Sequence, residues 1–376
     1  MHCEAFESGR CASCSEIAKP YPQQLAAKQH EAQALLAAFD GLQWLEPVAS
    51  PEQGFRNKAK MVVAGSMEEP TLGILDARGQ GVDLGDCPLY PEAIRTVFPA
   101  LRSFIAMARI VPYDVPGRHG ELKYLLITLD EATGALMLRF VLRSTESLPR
   151  IRKYLPILLE QHPNLRVVSV NLQPQHAAVL EGEQEIVLTG QDSLPMHVNG
   201  FVLHLRPKSF FQTNTHLAEA LYRQARDWVD EAAPKRLWDL YCGVGGFALH
   251  CADGVREVTG IEISGEAIAS ANRSRDEQAI ANLSFRVGDS TAFAREAGRQ
   301  PDLVIVNPPR RGIGPELARV LDEGEARFVV YSSCNPRSLA QDLAAMRRFV
   351  PVKARMFDLF PHTRHCEVLC LLRRRG

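Results

Sequence analysis

Cys334 closes the run Val330-Tyr331-Ser332-Ser333-Cys334-Asn335-Pro336, in which β-branched and aromatic residues halt at an Asn-Pro pair. The pattern predicts a buried strand that delivers a thiol to its carboxyl end, the edge at which open α/β sheets hold their ligands. A strand cysteine by itself is usually packing, so its neighbours decide. One is the apolar run Arg236 to Leu240, which leads through Tyr241-Cys242-Gly243-Val244-Gly245-Gly246-Phe247 into a helical pattern. Its Gly-x-Gly-Gly spacing differs from the dinucleotide fingerprint, and no Lys-Ser/Thr follows to hold a phosphate. About twenty residues on, Val258-Thr259-Gly260-Ile261-Glu262 ends a second run on an acid, placed to accept both hydroxyls of a ribose. A nucleoside cofactor without phosphates is implied, and S-adenosylmethionine fits. A third run, Asp302 to Val306, ends in Asn307-Pro308-Pro309-Arg310-Arg311-Gly312, a stiff turn that would hold the Asn307 amide at the same crevice. Glu367 begins the apolar run Glu367 to Leu372, which sets a carboxylate at a strand mouth; an isolated glutamate is otherwise most often solvated.

A second group of reactive residues lies at the other end of the chain. Cys3, Cys11 and Cys14 are spaced x7 and x2, and Cys87 stands far downstream in Leu84-Gly85-Asp86-Cys87-Pro88-Leu89. Four thiolates of this kind can hold an iron-sulfur centre or zinc. Zinc sites more often use two Cys-x2-Cys pairs, whereas here one pair is joined by two solitary cysteines. Nine cysteines without a secretory leader point to a reducing compartment, the cytoplasm, where metal binding is the commoner use.

Six motifs, in this order, resemble those of the RNA uracil-C5 methyltransferases, in particular the iron-sulfur members that modify 23S ribosomal RNA. They are Ser209-Phe210-Phe211-Gln212-Thr213-Asn214, the Asp239 to Phe247 loop, Glu262, Asn307-Pro308-Pro309-Arg310, Ser332 to Pro336, and Phe360-Pro361-His362-Thr363-Arg364-His365-Cys366-Glu367. The resemblance covers nearly the whole chain. The compact length, with no β-barrel RNA module before the cysteines, is most similar to the branch acting on uridine 747. The resemblance implies Cys334 as the nucleophile and Glu367 as the base. It implies Gln212, Tyr241, Glu262 and Asn307 as the S-adenosylmethionine site, and a [4Fe-4S] cluster on Cys3, Cys11, Cys14 and Cys87. Asn307 stands where many relatives carry aspartate, so it can hydrogen-bond there but supplies no negative charge.

Such residues suit the chemistry. Uracil C5 is too poor a nucleophile to take a methyl group unaided, and a thiolate added at C6 activates it. A base must then remove the C5 proton so that the sulfur can leave. Thiolate formation calls for a lowered pKa, with Arg310, Arg311 and Arg337 as candidate cations. His362 and His365 stay outside the catalytic set, and the Phe210-Phe211 pair, read alone, is core. Two other readings stay open: the same enzyme class acting on transfer RNA, and a non-catalytic iron-sulfur RNA-binding or assembly factor.

The elements that must position these residues divide in two. From Pro234 on, strands alternate with helical stretches such as Gly265 to Gln278 and Gly314 to Glu323, the doubly wound pattern. Between about Glu52 and Leu205 lie β-rich runs, Lys58 to Ala64, Leu122 to Leu129, Ala135 to Val141, Val167 to Leu172 and Val202 to Leu205, of a mixed, largely antiparallel α+β domain. The expected architecture is therefore α/β. A Rossmann-like methyltransferase domain spans 206–376, a central α+β RNA-binding domain spans 51–205, and residues 1–50 with the Cys87 loop form the iron-sulfur region. With 43 Lys+Arg against 44 Asp+Glu, net −1, a uniformly basic RNA coat is excluded. Local groups remain at Arg56, Lys58 and Lys60, at Arg139 and Arg143, and at Arg150, Arg152 and Lys153. They would position an RNA backbone while a uridine flips from a loop to reach Cys334. The apolar runs are too short for a membrane span, and no obligate protein partner is indicated.

Overall fold

Short apolar strands that alternate with amphipathic helices bury both faces only in a parallel sheet covered by helices on each side. The C-terminal half of the computed structural model, which describes residues 1–177 and 179–376, has this form. Its eight-stranded sheet runs in the order Leu283–Val287, Glu257–Glu262, Arg236–Leu240, Leu303–Val306, Phe328–Ser333, Glu367–Arg374, Phe349–Phe357, with Gln43–Trp44 at the far edge. Every neighbouring pair is parallel except that Glu367–Arg374 runs antiparallel to both of its neighbours. The strand order reverses between Arg236–Leu240 and Leu303–Val306, and the loops leaving these two strands open a crevice at their carboxyl ends. Because Glu367–Arg374 is inserted antiparallel, its first residue rather than its last lies at that edge.

Trp238, Leu240, Val304, Val306, Val329, Tyr331, Val368 and Cys370 fill the sheet's core. The helix Gly314–Glu323 adds Leu317 and Leu321, and Pro336–Ala345 adds Leu339 and Leu343. Each such leucine contributes about 1.5–3 kcal/mol relative to exposure.

The other compact unit comprises Met1–Cys14 and Glu52–Met196. Its seven-stranded sheet has the order Gly81–Asp83, Pro70–Leu75, Lys58–Gly65, Leu122–Leu129, Leu136–Leu142, Leu165–Leu172, Gln184–Val187. Only Leu136–Leu142 and Leu165–Leu172 pair in parallel, joined by the helix Leu148–Gln161. Alternation places Ala59, Met61 and Val63 in a core with Phe98, Leu101 and Ile105, and turns Lys58 and Lys60 to the opposite face.

One boundary differs from the sequence reading. Ser15–Pro51 belongs to the C-terminal unit and not with the Cys87 loop. Gln43 and Trp44 pair in parallel with Lys353 and Ala354, and Ala32 and Leu36 enter the core beneath that sheet. The helix Tyr21–Leu35 buries Gln24, Lys28 and Ala32, four residues apart, so two of its three inward positions are polar and no apolar stripe announces it. Among the described residues no helix is long and apolar enough to cross a membrane.

Candidate active site

In the register between Phe328–Ser333 and Glu367–Arg374, Ser333 pairs with Val368. The pairing ends there, with Cys334 the next residue after one strand and Glu367 the first of the other, and the Glu367 charge acts on the Cys334 thiol. A cysteine that follows one strand and a glutamate that begins another, far apart in sequence, are thus brought to the same edge because the second strand is reversed. Glu367 is 2% exposed, and its Oε1 accepts a hydrogen bond from Ser332 Oγ. Burial pushes its carboxyl up to about 7, against the opposing pull of that hydrogen bond. The Cys334 thiol, expected to be depressed, is instead held above its ordinary range. Burial is the main cause and the Glu367 charge adds to it, while Arg310 acts in the opposite direction. Of the three candidate arginines, Arg310 is the one whose charge acts on the thiol.

Arg310 is held in place through its backbone. Asn335 caps the helix Pro336–Ala345 by accepting from the Arg337 amide, and its Nδ2 donates to the Arg310 carbonyl at 3.0 Å. The turn then passes through Gly312 at φ +85, where a Cβ would lie 2.2 Å from Asp342 Oδ2. That oxygen accepts from Tyr331 Oη at 2.6 Å and from the Ile313 amide at 2.9 Å. Cys334, Arg310, Arg337, His365 and Cys366 line one cavity of about 190 Å³, and Arg310 Nη2 lies 3.3 Å from His365 Nδ1.

The cofactor candidates gather at the neighbouring strand ends. Leu240 pairs with Ile261 on one side and with Val306 on the other, so Tyr241, Glu262 and Asn307 leave or end three adjacent strands. Tyr241 takes a left-handed conformation, φ +64, and is partly buried. Glu262 accepts from the Gly243 amide through Oε2 at 3.2 Å and from the Ser264 amide through Oε1 at 3.0 Å. A Cβ on Gly243 would meet nothing within 4 Å, so the loop opens onto free space beside that carboxylate. Gln212 is buried in the loop before the helix Thr215–Ala232. Asn214 caps that helix and donates to Ser50 Oγ at 2.8 Å and to the Leu359 carbonyl at 3.4 Å.

Sequence reasoning missed several features here. Asp239 is fully buried and pushed up to about 8 by that burial. Its Oδ2 accepts from the Ala248 amide, while its Oδ1 has no partner among the described residues. The aromatic pair does not behave as core throughout: Phe211 is buried but Phe210 is 67% exposed, since an irregular loop need not turn consecutive side chains inward. Arg139, a candidate backbone contact, is buried and bound to Glu185 and Glu181. Arg150 is held by Glu146 and by the Ala108 and Arg109 carbonyls.

In the N-terminal unit, Cys3, Cys11, Cys14 and Cys87 line a single cavity of about 410 Å³ together with Arg56 and Tyr90. That is room for roughly a dozen waters at the ~30 Å³ share of the liquid. Among the described residues no three Cys, His, Asp or Glu side chains converge tightly enough to hold one metal ion. Burial, reinforced by the charges of the other three thiols, pushes Cys14 up to about 12, and Arg56 opposes the shift. Thiols that bind a metal ionise against its charge, and four thiols around one cavity are a donor set of the kind that takes a cluster. All nine cysteines are free thiols.

The class is that of a methyltransferase acting on RNA uracil: the profile of the tRNA (uracil-5-)-methyltransferase family matches residues 180–375. The chain belongs to that family. It is 54% identical over 376 residues, 99% of each chain, to the 23S rRNA (uracil(747)-C(5))-methyltransferase RlmC of Halothiobacillus neapolitanus. It is 51% identical over 372 residues, again 99% of each, to the Escherichia coli K12 protein of the same name. The crystal structure of Pyrococcus abyssi tRNA (uracil-54, C5)-methyltransferase with S-adenosyl-L-homocysteine superposes with a TM-score of 0.80 at 24% identity, covering 96% of this chain and 85% of that one. That likeness bears out the doubly wound methyltransferase fold.

Proposed function

We propose that this chain methylates C5 of a uridine in 23S ribosomal RNA, uridine 747, with S-adenosylmethionine as methyl donor. The observation that carries the reading is identity above half across the whole chain to a protein of that named activity; the strand pairing that brings the ends bearing Cys334 and Glu367 together supports it.

The flipped uracil would reach Cys334, which lines a cavity of about 190 Å³ with Arg310. Glu367, ionising near neutrality, makes room for negative charge only at some cost to the thiol beside it. Arg310 offsets that cost and stabilises the thiolate. Cys334 Sγ adds to C6, forming a covalent bond and moving an electron pair toward C5 and O4. S-adenosylmethionine, when bound, supplies an electrophilic methyl group to C5. Glu367 then accepts the C5 proton, the electron pair re-forms the C5–C6 double bond, and Sγ leaves as thiolate. Glu262 would hold the ribose hydroxyls of the donor, and Gln212, Tyr241 and Asn307 would complete its site. Asn307 acts there as a neutral hydrogen-bonding group.

RNA prepared from a strain lacking this gene, incubated with the purified enzyme and methyl-labelled donor, takes up label as 5-methyluridine in 23S RNA and none in transfer RNA. Label in transfer RNA alone contradicts the assignment, and label in neither supports a binding-only protein.

Cys3, Cys11, Cys14 and Cys87 suit a [4Fe-4S] cluster, whose four thiolate ligands leave iron no open position. It would act as a staple between the N-terminus and the Cys87 loop. The nine cysteines stand outside disulfides, which suits a cytoplasmic protein. Anaerobically prepared enzyme is expected to be brown, with about four irons per chain, and Cys11→Ser or Cys14→Ser to lose both colour and iron. Stoichiometric zinc in place of iron overturns the cluster.

A further inference from the structure

The loop that delivers Glu367 to its strand runs from Asp358 to Cys366, and its polar backbone is held largely by the segment from Ser15 to Leu36. Lys28 is 5% exposed, and its Nζ donates to Asp358 Oδ1 at 2.6 Å and to the Phe360 carbonyl at 3.0 Å. Gln24 Oε1 accepts from the His362 amide at 2.9 Å, and Gln24 Nε2 lies 3.3 Å from His362 Nδ1. The Glu16 amide donates to the His362 carbonyl at 2.9 Å, while its carboxylate takes Arg364 Nε at 2.8 Å. His362 is fully buried in a left-handed conformation, φ +65, which a β-substituted residue adopts only where its surroundings over-determine it. The same helix supplies Lys28, Glu31, Ala32 and Leu35 to the wall of the Cys334 cavity.

Polar groups account for this arrangement better than packing does. A lysine and an aspartate this deeply buried carry a large desolvation penalty, so the pair is weak evidence for stability and stronger evidence for a geometry that must be specified. The Asp358 Oδ2 atom has no partner among the described residues, so the Lys28 contact is what compensates the carboxylate. We propose that Lys28 and Gln24 are positioning residues for the catalytic base: they clamp the Asp358 to Cys366 loop so that Glu367 meets the C5 proton of the adduct. This rests on the reading of Glu367 as the base. Lys28 also lines the cavity at Cys334 and Gln24 does not, and neither lies on the strands that end at Tyr241, Glu262 and Asn307.

The test is single-turnover methylation of unmodified 23S RNA by Lys28→Met, Lys28→Arg and Gln24→Leu, with Glu367→Gln run beside them. Two rates are followed on denaturing gels: entry of label into the protein–RNA adduct, and release of methylated RNA. Thermal unfolding of each variant reports the fold separately. Lys28→Met and Gln24→Leu are expected to slow release at least tenfold and to accumulate labelled adduct, with formation changed less than threefold. Lys28→Arg, which keeps the charge, recovers release at least partly. Folded variants that release RNA at the wild-type rate overturn the proposal, as does an equal fall in both rates. Should Lys28→Met not fold, Gln24→Leu and Lys28→Arg decide by the same two rates. If Glu367→Gln itself accumulates no adduct, the base assignment fails. An adduct with Glu367→Gln but none with the Lys28 and Gln24 variants defeats the clamp alone.

Discussion

Cys334→Ser is expected to eliminate methyl transfer, with a single-turnover rate reduced by about 10⁴-fold or more, as for loss of the nucleophile in other covalent enzymes. The serine hydroxyl occupies nearly the same space but does not ionise at working pH. The uracil ring is then never activated at C6, and C5 stays too weak a nucleophile. The loss should be confined to chemistry. Asn335, which ties this loop to the Arg310 carbonyl at 3.0 Å, and the Tyr331, Asp342 and Ile313 hydrogen bonds beneath it do not involve the sulfur. S-adenosylmethionine affinity, measured by calorimetry, is therefore expected to stay within about twofold of wild type, since its candidate ligands leave other strands. A serine variant that retains substantial turnover would show that the ring is activated without sulfur.

Glu367→Gln separates the two halves of the reaction. The isosteric amide keeps a partner for Ser332 Oγ but cannot accept a proton, so addition and methyl transfer proceed while elimination stalls. Turnover falls by about 10²–10⁴-fold, and methylated RNA stays linked to the enzyme. The pH dependence carries a second signature. Burial holds the Glu367 carboxyl at about 7, above the ordinary 4.5, so the wild-type release rate rises as pH increases through about 7 and this limb vanishes in Glu367→Gln. Stability runs the other way. A carboxyl whose pKa is raised in the folded state favours folding below its ordinary pKa, and that contribution is lost as pH rises through about 7. Glu367→Gln avoids this loss and should melt higher than wild type at pH 8. A falling turnover without any adduct would reassign the base.

How much of this was legible from the residues alone depended on local pattern. Cys334, Tyr241, Glu262 and Asn307 each follow or end a short apolar run, and all four sit at the carboxyl edge of one sheet, because a parallel sheet turns every such run-end to one side. The meeting of Glu367 with Cys334 depends instead on one reversed strand and its register, a long-range property that no local pattern encodes. The direction of the Cys334 shift also escaped. Spacing displays nearby arginines, but burial and the charge of a residue across the sheet outweigh them. The placement of Ser15–Pro51 was hidden for a different reason. Its strand has two residues, and its helix turns Gln24 and Lys28 inward, so binary patterning finds nothing to bury. The polar contacts that hide this segment from pattern reading are those that bind it to the loop before Glu367.

A short 23S RNA hairpin carrying 5-fluorouridine at the target position tests the covalent claim most directly, because fluorine at C5 cannot be removed as a proton and the reaction halts before elimination. With S-adenosylmethionine present, tryptic digestion and mass spectrometry should recover the peptide from Phe328 to Arg337 bearing one methylated 5-fluorouridine nucleotide on Cys334. Recovery of only unmodified peptide from enzyme that methylates the matching uridine hairpin, or attachment at any other residue, would contradict it.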